Sequence, residues 1–149
     1  MSRPSPSPAA PLAALAAAVA LGGALGAVGR WAAVALTPGE TGFPWTTFTI
    51  NVTGSFALAL VPAALVAVTS RRRHALAAAF LGPGVMGGWT TLSAYAEQTR
   101  SLLERGHPVT AGVYVAGTLA ACLAAVALGD RLARAGAPAG ARGRPEHDA

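Results

Sequence analysis

The sequence predicts an all-α integral membrane protein with four transmembrane helices, of which the third is broken. Three observations support this prediction. Of the 149 residues, 53% are hydrophobic and only 11% are charged, and the mean hydropathy is +0.49. A soluble domain carries about a quarter charged residues, so this chain lacks the polar surface that a soluble fold needs. The chain also contains four long apolar stretches, and most of its arginines lie at their ends.

Each apolar stretch is long enough to form a transmembrane helix, because crossing the hydrocarbon core takes roughly 20 residues. The four stretches lie at about 12–36, 44–69, 75–103 and 109–129. The first could pass for a signal peptide, but Arg30 and further apolar segments follow it, which favours a retained helix. The connections at 37–43, 71–74 and 104–108 are short, so we expect antiparallel neighbours.

The two ends of the chain differ in composition from its apolar middle. Residues 1–11 are rich in Pro and Ser, and residues 133–149 are polar, so we expect both to be disordered tails. Residues 12–132 are then a single transmembrane domain in contact with the lipid bilayer.

The arginines predict an orientation. With four crossings, both termini and the 71–74 connection share one side of the membrane. That side holds eight arginines and the opposite side holds two, Arg100 and Arg105. Because cytoplasmic segments are enriched in Arg and Lys, we expect a multi-pass plasma-membrane protein with both termini in the cytoplasm.

Several classes of function are disfavoured. The net charge of +5 does not indicate a nucleic-acid partner, because no basic face with interleaved aromatic residues is visible. The single cysteine, Cys122, excludes an intrachain disulfide, and no cluster has the spacing of metal ligands. The three histidines have no matching Ser and Asp, so we expect no enzyme. They are His74, His107 and His147.

The third stretch contains an interruption, "GPGVMGGWTTLSAYAEQ", at residues 82–98. Pro83 removes a backbone donor and the glycines around it loosen a helix. Non-helical backbone at membrane depth is tolerated only where it is buried in protein or lines a cavity, and freed carbonyls there can coordinate a cation. A plain helix kink is the alternative interpretation.

Two helices carry rows of polar side chains spaced by four residues, which places each row on one helix face. The rows are Thr47, Asn51 and Ser55 in the second stretch, and Tyr114, Thr118 and Cys122 in the fourth. Helix–helix hydrogen bonding is one interpretation, and a row of donors along an ion path is the other. Arg30 is likewise explained either by snorkelling from a helix end or by an electropositive vestibule for an anion.

Four motifs, in order, resemble the fluoride-channel family that is often called CrcB or Fluc. They are "GGALGAVGRW", "TTFTINVTGSF", "GVMGGWTTLSAY" and the Tyr114/Thr118 row, and together they cover about residues 20–125. The resemblance implies an antiparallel dimer, with one subunit inverted and two fluoride pores. It also implies a sodium ion at the dimer centre, which is structural and is not transported. The implied function is a passive channel through which fluoride leaves the cytoplasm.

The same resemblance implies roles for individual residues. The backbone carbonyls of Gly87 and Thr90 would hold the sodium ion. The side chains of Asn, Thr, Ser and Tyr offer hydrogen-bond donors without a fixed charge that would trap a strongly hydrated anion. The residues expected at the pore or in its lining are Asn51, Thr47, Ser93, Tyr95, Leu92, Tyr114, Thr118 and Arg30.

The chain departs from the family pattern after its two threonines, where that pattern is Phe-Ser-x-Phe. Here the residues are Leu92-Ser93-Ala94-Tyr95, so one ring is absent and the other carries a hydroxyl. With the arginine bias, this favours a fixed-orientation subunit whose homologous partner supplies better-formed aromatic residues. A homodimer is the alternative.

Other functions remain open at this point. The chain could be a non-conducting partner subunit of a heterodimeric fluoride channel, or a scaffold that transports nothing. It could also be a small four-helix multidrug exporter, a class that needs a carboxylate within the membrane. Glu97, late in the third stretch, is the one candidate for such a carboxylate.

Overall fold

The computed structural model describes residues 10–37, 39 and 42–136, and all regular structure in these ranges is helical. Three spans are single helices: α1 (Leu12–Ala35), α2 (Trp45–Ala64) and α6 (Pro108–Ala135). The third span, Arg71–Glu104, is composite. It contains α3 (Arg71–Ala79), a π-helical segment (Phe80–Met86), α4 (Gly87–Trp89) and α5 (Leu92–Glu104).

Within the described ranges, four helical stretches are long and apolar enough to cross a membrane, which confirms the predicted number of spans. The boundaries differ from the expected ones in three places. The third span begins at Arg71, so the predicted connection at 71–74 is the first turn of α3. The second helix ends at Ala64 and not near residue 69, and the fourth continues to Ala135, beyond the expected domain end at 132. The predicted tails fall largely at 1–9 and 137–149, which lie outside the described residues.

The structure differs from the expectation at Pro83. The chain does not unwind there, because Pro83 lies inside the π-helical segment and the helix continues through α4 to Trp89. A π-helical turn accommodates an altered hydrogen-bond ladder without leaving the helical path. The residues that leave the helix are Thr90 and Thr91, with ψ of 158° and 115°. We call these two residues the joint.

Helix α1 packs against the third span through its backbone. Its buried residues are Gly22 and Gly26, whereas most of its leucines and valines are exposed, as expected of a lipid-facing helix. A Cβ on Gly26 would lie 2.7 Å from the Trp89 nitrogen, and one on Gly88 would lie 2.9 Å from the Ala27 nitrogen. Real Cβ atoms do not approach backbone so closely, so this contact requires glycine on both sides.

The remaining contacts hold α2 and α5 against α6. Gly129 of α6 faces the Phe56 carbonyl of α2, where an added Cβ would lie 3.0 Å from the oxygen. At the opposite end of α6, Leu102 of α5 forms a small buried cluster with Ala111 and Tyr114.

Candidate functional site

The joint is held open by a side chain of α2. The Thr91 amide donates to Asn51 Oδ1 at 2.8 Å, and Asn51 Nδ2 donates to the Thr91 carbonyl at 3.1 Å. The Asn51 side chain therefore provides the Thr91 amide and the Thr91 carbonyl with the hydrogen-bond partners that a continuous helix would have given them. Because unpaired backbone groups are costly at membrane depth, this pair of bonds is what makes the extended residues tolerable there.

Thr91 also begins the next helix. Its hydroxyl accepts a hydrogen bond from the Ala94 amide at 3.2 Å, as an N-cap threonine does, and lies 3.2 Å from the Ser93 hydroxyl. Thr90 closes the preceding helix, since its amide and its hydroxyl both donate to the Met86 carbonyl at 2.9 Å. The hydroxyls noted in the sequence thus terminate one helix and start another.

These bonds release two carbonyl oxygens. In an uninterrupted helix the Thr91 amide would donate to Gly87 and the Ala94 amide to Thr90. Both amides bond to side chains instead, and no other donor to either oxygen is found among the described residues. Gly87 and Thr90 are the two residues at which the sequence resemblance predicts a sodium ion. Carbonyl oxygens freed from a discontinuous helix are the ligand type that such an ion takes, so the residues present fit it.

Arg30 lies beside the joint and contacts the side of the third span that packs against α1. Its Nε donates to the Gly88 carbonyl at 3.1 Å. The amide that would bond this carbonyl in a continuous helix belongs to Leu92, which lies beyond the joint. The contact places a cation at the carbonyl end of α4 and gives Arg30 a structural role, in addition to the two interpretations that the sequence left open.

A cavity of about 610 Å³ opens beside the joint. Its wall combines the joint itself with the two polar rows, since Asn51 and Ser55 of α2 meet Thr118 and Cys122 of α6 across it. Of the ten residues predicted for the site, six line this cavity. They are Asn51, Gly87, Thr90, Leu92, Tyr95 and Thr118.

The other four predicted residues are not among those that line this cavity in the described part of the chain. Thr47 and Tyr114 are buried, with 2% and 0% of their surface exposed. Ser93 contacts Thr91, and Arg30 contacts Gly88, as described above. The predicted site therefore divides into a cavity wall and a set of supporting residues.

Thr118 is exceptional among the described polar side chains. It is 4% exposed, and its Oγ1 is the one buried side-chain nitrogen or oxygen for which the described residues provide no hydrogen-bond partner. By contrast, Thr53 and Thr99 donate to carbonyls one turn back in their own helices. A buried hydroxyl without a partner costs about 1–3 kcal/mol, so a water or an anion in the cavity would stabilise this wall.

The tyrosines fasten α5 to α6. The Tyr95 hydroxyl donates to the Val115 carbonyl at 3.0 Å, and the Tyr114 hydroxyl donates to Gln98 Oε1 at 2.8 Å. The two rings lie 5.1 Å apart with a tilted geometry. Gln98 was not predicted from the sequence, although its position three residues after Tyr95 on the same helix face could have indicated it.

The fold and the cavity define a four-span α-helical membrane protein with uncharged hydrogen-bonding groups at membrane depth. The profile of the family described as "CrcB-like protein, Camphor Resistance (CrcB)" matches residues 17–130. This match covers most of the chain, and the chain belongs to that family.

Several relatives are similar over most of their length. The protein named fluoride-specific ion channel FluC 2 of Streptomyces avermitilis is 46% identical over 105 residues, which are 69% of this chain and 65% of that protein. FluC 2 of Nocardia farcinica is 44% identical over 119 residues, 78% of this chain and 83% of its own. FluC 1 of Streptomyces coelicolor is 44% identical over 120 residues, which are 79% of this chain and 76% of that protein.

Proposed function

We propose that this chain is a subunit of a fluoride-specific ion channel that lets fluoride leave the cytoplasm passively. The observation that carries the proposal is the cavity at the joint, with the Asn51 amide and the unpaired Thr118 hydroxyl in its wall. The printed names of the relatives support fluoride as the ion. The family membership supports a channel.

The chemistry of the wall suits a small anion. Fluoride is strongly hydrated, so a pore must replace its water with donors. An asparagine amide has two N–H groups, and the structure assigns one of them to the Thr91 carbonyl. The second N–H and the Thr118 hydroxyl remain for an anion, and neither carries a fixed charge that would hold the ion in place.

The direction of transport needs no energy source. Neutral HF enters from acidic surroundings and dissociates at cytoplasmic pH, after which the anion leaves down its gradient and is helped by a negative interior. The acids among the described residues lie outside the cavity and bond to arginines. Glu97 and Glu104 both contact Arg100, and Asp130 contacts Arg134. None of them is placed to couple transport to protons.

We propose that the carbonyls of Gly87 and Thr90 hold a structural sodium ion. Such an ion would neutralise two carbonyl dipoles that the helix leaves unpaired. Two oxygens are too few for a complete coordination shell, so this proposal needs further oxygens. A second subunit that brings the same two carbonyls would provide them, in agreement with an antiparallel dimer in which the third spans meet as broken helices.

A fixed-orientation heterodimer is the assembly that we favour over a homodimer. Leu92 is 77% exposed on the cavity wall and offers no ring edge to an anion. The hydroxyl of Tyr95 is committed to Val115, so it presents lone pairs and not a proton to the cavity. Both features would reduce fluoride conduction through this subunit. The arginine count would fix its termini in the cytoplasm. A non-conducting partner subunit is therefore the second candidate function.

The test is fluoride efflux from liposomes, followed with a fluoride electrode while potassium is equilibrated by an ionophore. The chain is reconstituted alone and together with a homologue of opposite arginine bias. Fluoride efflux without chloride efflux is expected from the pair. Efflux from the chain alone would exclude an obligate partner, and silence of both preparations would overturn the channel proposal.

A further inference from the structure

The wall of the cavity includes a thiol that the fluoride function does not explain. Cys122 lies on α6 one turn beyond Thr118, and both line the cavity opposite Asn51 and Ser55. It is the only cysteine of the chain and is partly exposed. A cysteine on the lipid face of a transmembrane helix would be an ordinary small residue. The location of this one, on the wall that carries the polar groups, is what needs an explanation.

A second observation indicates that something fills this part of the cavity. Thr118 Oγ1 is buried and has no partner among the described residues, and the side chain belongs to the same wall. Other threonines of the described helices donate to carbonyls of their own helix, as Thr53 and Thr99 do. Since Thr118 does not, its hydroxyl is free for an occupant of the cavity. Water or an anion that reaches it lies within one helical turn of the thiol.

The depth of Cys122 makes its size important. It is fourteen residues from Pro108, or about 21 Å along a helix of about 42 Å, so it lies halfway along α6. Leu58 and Pro83 line the same cavity from the other helices. A group added to the sulfur would therefore take up space in the cavity that the polar groups of α2 and α6 line.

We propose that Cys122 is a modification site in the ion path, where small thiophilic reagents act as blockers of conduction. This inference rests on the proposed function. With a methyl methanethiosulfonate reagent, the thiol proton passes to cavity water and the thiolate sulfur attacks the sulfenyl sulfur. A disulfide to a methylthio group forms, the sulfur–sulfur bond of the reagent breaks, and methanesulfinate leaves. Because the thiolate is the reactive form, the reaction requires a hydrated site.

The experiment uses the full-length protein in liposomes, alone and with its homologue. The reagent is added, the adduct is counted by mass spectrometry, and fluoride efflux is compared before and after within each preparation. We expect stoichiometric labelling, a roughly tenfold loss of efflux because the adduct replaces the water and donors that the ion needs, and recovery on reduction with dithiothreitol.

Two variants serve as matched controls. Cys122→Ser removes the thiol and keeps a small polar group, so its efflux should not respond to the reagent. The double variant Cys122→Ser/Leu123→Cys moves the thiol by one residue, onto a side chain that is 63% exposed on the outer surface. A thiol there faces hydrocarbon, so it should label slowly and leave efflux unchanged.

Complete labelling of Cys122 with unchanged efflux would overturn the proposal. Labelling no faster than that of the relocated thiol would overturn it as well, because Cys122 would then not face a hydrated cavity. The labelling rates can be compared even in a preparation without efflux. A silent preparation therefore counts against the proposed function, while the rates decide separately whether Cys122 lies in a hydrated path.

Discussion

The two faces of the third span show how this protein separates stability from function. Towards α1, Gly26 and Gly88 bring backbone against backbone, and Arg30 bonds to the Gly88 carbonyl. Towards the cavity, the carbonyls of Gly87 and Thr90 have lost their helical donors, and the Thr118 hydroxyl opposite them is unpaired. One face is close-packed and satisfied, whereas the other leaves polar groups for an occupant. Substitutions on the first face should affect folding, and those on the second should affect conduction.

The largest effect is expected from Gly26→Ala on the packed face. The new methyl group would lie 2.7 Å from the Trp89 nitrogen, and rigid backbone cannot yield as a side chain would. Overpacking of this kind costs about 1–3 kcal/mol and can cost more, so we expect a lower melting temperature and little monodisperse protein in detergent. The control is Gly23→Ala, where the nearest atom is 4.0 Å away. Equal behaviour of the two variants would contradict the packing argument.

Asn51→Ala should combine both kinds of effect, because Asn51 supports the joint and lines the cavity. The change leaves the Thr91 amide and carbonyl unpaired, at a cost of about 1–3 kcal/mol for each group, and removes a donor from the path. We expect reduced thermal stability and fluoride efflux at background. Thr49→Val is the control on the exposed side of α2, because Thr49 lies outside the cavity wall, and it should retain efflux. An Asn51→Ala protein with normal efflux would show that the joint does not depend on this amide.

Thr118→Val tests the cavity face by itself. Valine has nearly the shape of threonine and lacks the unpaired hydroxyl, so stability should be unchanged or increase by up to about 1 kcal/mol. Efflux should nevertheless fall severalfold. Thr99→Val, which removes a hydroxyl already bonded to the Tyr95 carbonyl, should leave efflux unchanged. A parallel loss of stability and efflux in Thr118→Val would mean that the hydroxyl has a structural role.

Leu92→Phe should produce a smaller effect on efflux, and it should be an increase where the preceding variants cause a loss. It restores a ring edge, which carries partial positive charge, at the exposed cavity wall. A conduction barrier lower by about 0.5–1 kcal/mol would make efflux roughly two- to fivefold faster. Leu103→Phe adds a ring on α5 outside the cavity wall and controls for bulk. If Leu92→Phe has no effect even with a homologous partner present, the path through this subunit does not conduct.

The smallest effect is expected from Glu97→Gln. The carboxylate is exposed on α5 and bonds to Arg100 away from the cavity, so neither fluoride efflux nor the melting temperature should change measurably. A multidrug exporter would depend on this residue, because such a protein needs a membrane carboxylate. Abolished transport in Glu97→Gln, with the fold intact, would favour the exporter.

Much of the fold followed from local sequence features. Four apolar stretches predict four spans whatever their arrangement, because bilayer thickness sets helix length. The spacing of Asn51 and Ser55, and of Thr118 and Cys122, placed each pair on one face of its helix. The location of the interruption did not follow in the same way. Pro83 and its glycines predicted a break at their own position, whereas the chain leaves the helix seven residues later at Thr90. A proline shows that a hydrogen bond is missing, not how the helix adjusts.

The amino-acid sequence by itself determined that this protein crosses the membrane four times with uncharged polar side chains on two helix faces, because hydropathy and helical period are local properties. Only the tertiary structure decided that the two rows face one cavity, that Asn51 bonds both sides of Thr91, and that Gly87 and Thr90 are the carbonyls left unpaired. The first two features and the free Gly87 carbonyl depend on contacts between residues forty or more positions apart, which are set by packing between helices. The Thr90 carbonyl is freed by a local bond from the Ala94 amide to the Thr91 hydroxyl.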